Sequence, residues 1–226
     1  MDNKYIFILC PPLQGSTVLY RLISTSKKVT TFLPLANRPN MWMGEGAGLF
    51  EPIYPEYVPQ RWDPNYPLNM SKVGELYHKY WDSSKPIKCD KTPPTICRAK
   101  MFEDYFSQLG EVYFITQIRN PFYVGYSAET WDKYAEFQKW NIENLKNVIH
   151  VTYEDLCSNT DETVSRILEK YPFLESFNLD DVIQPWGGER GGKIKNSNTQ
   201  LRDVESKINY FTNNNYLLKY FDYNII

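Results

Sequence analysis

The chain has 226 residues, 42% of them hydrophobic and 23% charged, with a formal net charge of −2. That balance excludes wholesale disorder and argues against a general nucleic-acid binder, which would be basic. It leaves room for a local basic pocket, because net charge says nothing about clustering. The four cysteines, Cys10, Cys89, Cys97 and Cys157, form no C-x-x-C pair, and the two histidines are His78 and His150. No metal site is expected from that inventory. Scattered single cysteines read as reduced thiols of a cytoplasmic protein. No apolar stretch reaches the roughly 18 residues of a membrane span. The apolar run at 4–10 is too short for a signal-peptide core and reads as a first strand.

In chain order, that run is apolar throughout and β-prone, as in a strand buried on both faces of a parallel sheet. A turn at 11–15 leads into a helix over 16–26, with Val18, Leu19, Leu22 and Ile23 on one stripe and Ser16 or Thr17 available as a cap. A short strand follows at 29–33. Residues 34–69 are rich in Pro, Trp, Tyr and Gly and read as a functional loop, with room for short helices. The spacing predicts a helix over 70–81, a strand over 86–89 and a helix over 95–108. The clearest strand is 111–118. It ends at Arg119-Asn120-Pro121, where Pro121 suits the first turn of a helical region, with room for a break, reaching 144. A strand at 147–152, a helix at 159–171, a Gly-rich basic loop at 185–198 and a last helix at 201–220 complete the chain. Strands alternating with helices predict a single α/β domain: three layers, α/β/α, around a mostly parallel sheet.

Ligands of such sheets bind at the carboxyl ends of the strands. Polar segments stand at those ends here: 11–17, 90–94, 119–127 and 153–155. The first, Pro11-Pro12-Leu13-Gln14-Gly15-Ser16-Thr17, joins a strand to a helix start. Its free N–H groups and positive dipole end suit a phosphate or sulfate. The Walker pattern fails, since Cys10 stands at its first Gly and Ser16 at its Lys, which disfavours an ordinary ATP or GTP hydrolase.

Taken together, these segments resemble the sulfotransferases that use 3′-phosphoadenosine 5′-phosphosulfate (PAPS). Leu13-Gln14-Gly15-Ser16-Thr17 is similar to the family's first motif. Arg119-Asn120-Pro121 with Ser127 matches its second. Tyr153-Glu154-Asp155-Leu156 after a strand, Lys91-Thr92-Pro93, and the Gly- and Lys-bearing loop at 187–195 match further features, in order, from about residue 5 to 220. The resemblance implies a P-loop nucleotide-hydrolase-like fold and transfer of a sulfuryl group from PAPS to an acceptor hydroxyl, with the bisphosphate nucleotide PAP as product. The acceptor is a small molecule or glycan, with a lipid or tyrosyl group also open. Two rivals stand beside this reading. One is a PAP- or glycan-binding relative without turnover, and the other is a divergent P-loop kinase.

The resemblance implies donor contacts from Gln14, Gly15, Ser16 and Thr17. It places Arg119 and Ser127 on the 3′ phosphate, with Arg190 and Lys193 closing over it. Lys91 would stabilise the leaving oxygen. Where the family has a cation this chain has Leu13, and where some members have a catalytic histidine it has Pro93. The general base is then assigned to Glu45, with Glu51 as the alternative. Each assignment has a plainer counterpart: a surface ion pair for Arg119, a helix serine for Ser127, a solvated lysine for Lys91, a loop glutamate for Glu45. His78 and His150 read as structural. The aromatics Trp42, Tyr54, Tyr57 and Trp62 either wall an acceptor site or anchor the loop.

Overall fold

The computed structural model describes residues 3–32, 45–182, 194 and 196–226. The five strands are β1 (Lys4–Leu9), β2 (Val29–Thr30), β3 (Ile87–Asp90), β4 (Glu111–Ile118) and β5 (Val148–Thr152). They form one sheet in the order β2-β3-β1-β4-β5, with every pairing parallel. The helices are α1 (Ser16–Ser24), α2 (Ala47–Phe50), α3 (Tyr57–Gln60), α4 (Met70–Tyr80), α5 (Ala99–Phe106), α6 (Ala128–Asn144), α7 (Tyr153–Ser158), α8 (Thr160–Lys170), α9 (Val204–Asn213) and α10 (Tyr216–Tyr220).

The apolar run of β1 is explained by its central place. Tyr5, Phe7 and Leu9 enter one core with Val73 and Tyr77 of α4 and Phe102 and Phe106 of α5. Ile6, Ile8 and Cys10 enter the opposite core with Val18, Leu22 and Ile23 of α1 and Ile167 of α8. Successive side chains of a strand point to opposite faces, so a strand covered by helices on both sides must be apolar at every position. A further cluster joins Ile118 and Phe122 to Trp131 of α6, Phe211 of α9 and Leu218 of α10. This is the expected three-layer α/β/α architecture. None of the described helices is long and apolar enough to cross a membrane.

After β1 the chain runs toward β2, and after β4 toward β5, so it departs in opposite directions from the two neighbouring strands. That divergence opens a crevice at their carboxyl ends. Gln138 of α6 spans the base of the crevice, its amide donating to Leu9 O at 2.6 Å and Gln117 O at 2.9 Å.

Several elements differ from the sequence reading. The helix expected over 95–108 is a 3-10 turn at Pro93–Cys97 followed by α5, with a break at Arg98 (φ −133°, ψ 14°). The break frees the Arg98 guanidinium to bind the carbonyls of Gln60, Arg61 and Asp63, which fastens the end of α3 and the turn after it to α5. The helical region after Pro121 has the break the sequence reading allowed, a 3-10 turn at Pro121–Tyr123 and then α6. The last helix is two, α9 and α10. The long loop does contain short helices, α2 and α3. Tyr57 is buried in the core, so it anchors this segment, while Tyr54 and Trp62 pack against the core from outside. Trp42 lies outside the described residues.

Candidate functional site

The first loop is shaped by two left-handed residues, Leu13 at φ 61° and Gly15 at φ 88°. Gly15 is required twice over, by its φ and because a Cβ there would run into the Tyr153 ring. Gly15, not Ser16 or Thr17, is the N-cap of α1, and no side chain caps the helix. The start of α1 therefore meets no side-chain cap, while the Val18 N–H bonds Gly15 O at 3.0 Å. The Ser16 N–H and hydroxyl lie against the Cys10 sulfur at the end of β1.

Gln14 is fully buried and serves as scaffold. Its Oε1 accepts the Arg119 N–H at 3.0 Å, its amide nitrogen donates to the Tyr126 hydroxyl, and its carbonyl accepts Gln117 Nε2 at 2.7 Å. These bonds lock the first loop to the end of β4 and leave its side chain no face toward a ligand. The Leu13 side chain, 68% exposed, stands out from the loop and carries no charge.

Arg119 follows β4 and is only 8% exposed, yet no carboxylate pairs with it among the described residues. Its Nε donates to Asn198 Oδ1 at 2.7 Å, and its guanidinium lies 4.5 Å above the Tyr153 ring. Its Nη1 is 3.4 Å from Leu13 O. Glu154 is near but committed elsewhere: its carboxylate accepts from Asn120 N, Asn198 Nδ2 and the Tyr223 hydroxyl. Thus Tyr153 and Glu154 hold the site's architecture, and no carboxylate among the described residues neutralises Arg119 at the crevice.

On the other side of β1, Lys91 is 2% exposed and its ammonium lies 2.8 Å from Glu45 Oε1. The structure therefore brings together the two residues assigned to catalysis, which stand 46 positions apart in sequence. Lys91 and Arg119 both act on the Cys10 thiol, so they flank the same loop. Burial outweighs them and pushes that thiol up to about 12, leaving Cys10 neutral.

Asp90, which sequence reasoning passed over, bonds the chain just after Glu45. Asp90 Oδ1 accepts the Gly46 N–H and the Thr92 hydroxyl, both at 2.9 Å, and Oδ2 accepts the Tyr77 hydroxyl at 3.3 Å. Thr92 Oγ1 in turn accepts the Ala47 N–H at 3.2 Å. The sequence signal was Asp90-Lys91-Thr92 itself, in which the cation is flanked by two hydrogen-bonding side chains. Glu51 makes no ion pair with Lys91; partial burial raises its carboxyl against the pull of Arg61.

Ser127 is exposed and acts as the N-cap of α6, accepting the Thr130 N–H at 3.3 Å. It lies on the same connection from β4 as Arg119, without touching it. Arg190 and Lys193 lie outside the described residues, as does Lys195. His78 bonds the Tyr5 hydroxyl and Gly74 O, and His150 sits in β5 against Thr116, so both are structural. Among the described residues, no three His, Cys, Asp or Glu side chains cluster as metal ligands do.

The chain is similar over nearly its whole length to solved structures. The sulfotransferase domain from the curacin biosynthetic pathway aligns over 99% of this chain and 99% of its own, at 15% identity and a TM-score of 0.55. A sulfotransferase from Alicyclobacillus acidocaldarius aligns over 99% and 98%, at 11% identity and TM-score 0.55. The chain has the sulfotransferase fold. A sulfotransferase from Mycobacterium tuberculosis H37Rv aligns over 80% of this chain and 69% of its own, at 11% identity and TM-score 0.53. No family model matches the sequence. No curated protein matches it either. In this sulfotransferase fold the crevice between β1 and β4 is bordered by the start of α1, by Arg119, which has no carboxylate partner among the described residues, and by the Lys91–Glu45 pair.

Proposed function

We propose that the protein is a sulfotransferase that moves a sulfuryl group from PAPS to an acceptor hydroxyl on a small molecule or glycan. The observation that carries this reading is the nearly buried Arg119, without a carboxylate partner among the described residues, beside the start of α1, which no side chain caps, in a sulfotransferase fold. A guanidinium held in a low-dielectric crevice without an anion is a site that an anion completes.

These residues fit a polyanionic nucleotide. Arg119 would hold the 3′ phosphate, its guanidinium oriented by Asn198 and Tyr153, with Ser127 on the same connection. The N–H groups at the start of α1 and Lys91 would face the 5′ side, and Arg190 and Lys193 belong to the loop assigned to closure. Bound PAPS supplies the sulfuryl group. Lys91 is placed to neutralise charge that develops on the leaving oxygen. Glu45, 2.8 Å from Lys91, is placed to take the proton of the acceptor hydroxyl. Leu13 supplies no charge where related proteins have a cation, so the burden on Lys91 is greater.

A thermal-shift panel tests the reading. PAP and PAPS should raise the melting temperature by mass action, 5′-AMP and ATP much less, and a chelator should change nothing. Arg119→Ala should abolish the advantage of PAP over 5′-AMP. A Mg²⁺-dependent shift with ATP that exceeds the shift with PAP would transfer the reading to the kinase rival. Stabilisation by PAP without any transfer would leave the non-catalytic binding relative.

A further inference from the structure

We propose that Asp90 is the positioning residue of the Lys91–Glu45 pair. Its carboxylate holds the corner at residues 45–47 so that Glu45 faces Lys91, and protonation of that carboxylate slackens the corner. The proposal rests on the transferase reading of the same site.

The geometry is specific. Consecutive amides of the corner are tied to one short stretch of chain: Gly46 N–H to Asp90 at 2.9 Å and Ala47 N–H to Thr92 at 3.2 Å. The residue just before them, Glu45, meets the residue between them, Lys91. Thus Asp90-Lys91-Thr92 carries both the partner of Glu45 and the anchors of its backbone. The corner cannot shift toward α4, because the Tyr77 ring sits where a Gly46 Cβ would be. A neutral polar side chain would suffice to cap α2. A carboxylate with 1% exposure is a costly choice for that task alone.

Burial raises Asp90 to about 7, opposed by the bonds from Gly46, Thr92 and Tyr77 and by the Lys91 charge. The titratable groups that face it are Cys89 on its own strand, Lys91 just after it, Tyr77 on α4 and Tyr20 on α1. Cys89, Tyr20 and Tyr77 are all pushed upward and stay neutral near pH 7, so the charge that changes there is that of Asp90.

The test is a carboxyl-carbon NMR titration of protein labelled at Asp and Glu, with Glu45 and Asp90 assigned by Glu45→Gln and Asp90→Asn. The Glu45 resonance should show an inflection in step with Asp90 near neutrality. In Asp90→Asn that inflection should vanish. The variant's transfer rate should fall by on the order of 10- to 10²-fold, the scale of a misplaced catalytic group, and lose its inflection near pH 7. If Asp90→Asn fails to fold, Tyr77→Phe serves instead. It removes a donor to the carboxylate, so the Asp90 midpoint and the Glu45 inflection should rise in pH together. A Glu45 signal indifferent to Asp90, or a transfer rate and pH profile unchanged in Asp90→Asn, overturns the proposal. If wild-type protein neither binds PAP nor transfers, the transferase reading fails, and the NMR titration still decides whether Asp90 positions the pair.

Discussion

Replacing Lys91 by Met removes the ammonium and keeps most of the stem in its buried slot. Two effects are expected, and they separate. The first is structural: Glu45 loses its ion-pair partner. Breaking a fully buried pair costs about 3–5 kcal/mol, but the Glu45 side chain is 19% exposed and can recruit water, so the cost falls below that range. The second is catalytic. Loss of one transition-state donor slows reactions by on the order of 10²-fold or more, equivalent to about 2.7 kcal/mol. With Leu13 uncharged, no neighbouring side chain of the first loop takes over. The double variant Lys91→Met/Glu45→Gln separates the effects, because it leaves no unpaired charge. It should regain most of the stability lost in Lys91→Met and none of the rate. Initial rates of PAP release, on variants verified as folded by circular dichroism, give the answer. A double variant that recovers rate along with stability would mean that Lys91 is only a structural partner of Glu45.

Restoring a cation in the first loop with Leu13→Lys should raise turnover or tighten PAP binding, since position 13 is exposed and can accept the longer side chain without repacking; calorimetric titration with PAP measures it, and unchanged affinity and rate together would place the donor elsewhere. Gly15→Ala should destabilise the fold by more than about 2 kcal/mol, because left-handed φ alone costs roughly 1–2 kcal/mol and the new methyl meets the Tyr153 ring; urea unfolding measures it. Burial, reinforced by nearby Arg166, holds the His150 imidazole down at about 4. The unfolded chain therefore binds more protons than the folded one between about pH 6.5 and 4, and stability falls as pH falls through that window, by up to on the order of 3 kcal/mol. Denaturation curves of His150→Gln should show this part of the pH dependence removed.

The fold was legible because its strongest signals are local and redundant. The unbroken apolar run of β1, the β-prone Val112–Ile118 run with its terminal Arg119-Asn120-Pro121, and the alternation of strands and helices all point to one parallel sheet. The missed breaks were at residues whose conformation depends on tertiary partners. Arg98 leaves helical geometry while it binds carbonyls some 35 to 38 positions earlier, which no window around it reveals. In the site, the structure brings Lys91 and Glu45 together across 46 positions of sequence, a contact that no local window reveals. Gln14 was read as a ligand contact, and its burial against Arg119 and Tyr126 could not be seen without the fold. The left-handed Leu13 was equally hidden, since a bulky residue at positive φ contradicts local preference and persists only because the loop is fixed on both sides. Asp90 was overlooked because an acidic residue ending a strand looks solvated until its donors are known.

The most direct measurement is transfer of a labelled sulfuryl group from PAPS to a panel of hydroxyl acceptors: sugars, small alcohols, lipids and tyrosyl peptides. Wild-type protein should label at least one acceptor class with stoichiometric release of PAP, without added metal. Glu45→Gln and Lys91→Met should each lower that rate by on the order of 10²-fold while still binding PAP. Tight PAP binding with no label in any acceptor, and no effect of either substitution on PAP release, would contradict the account.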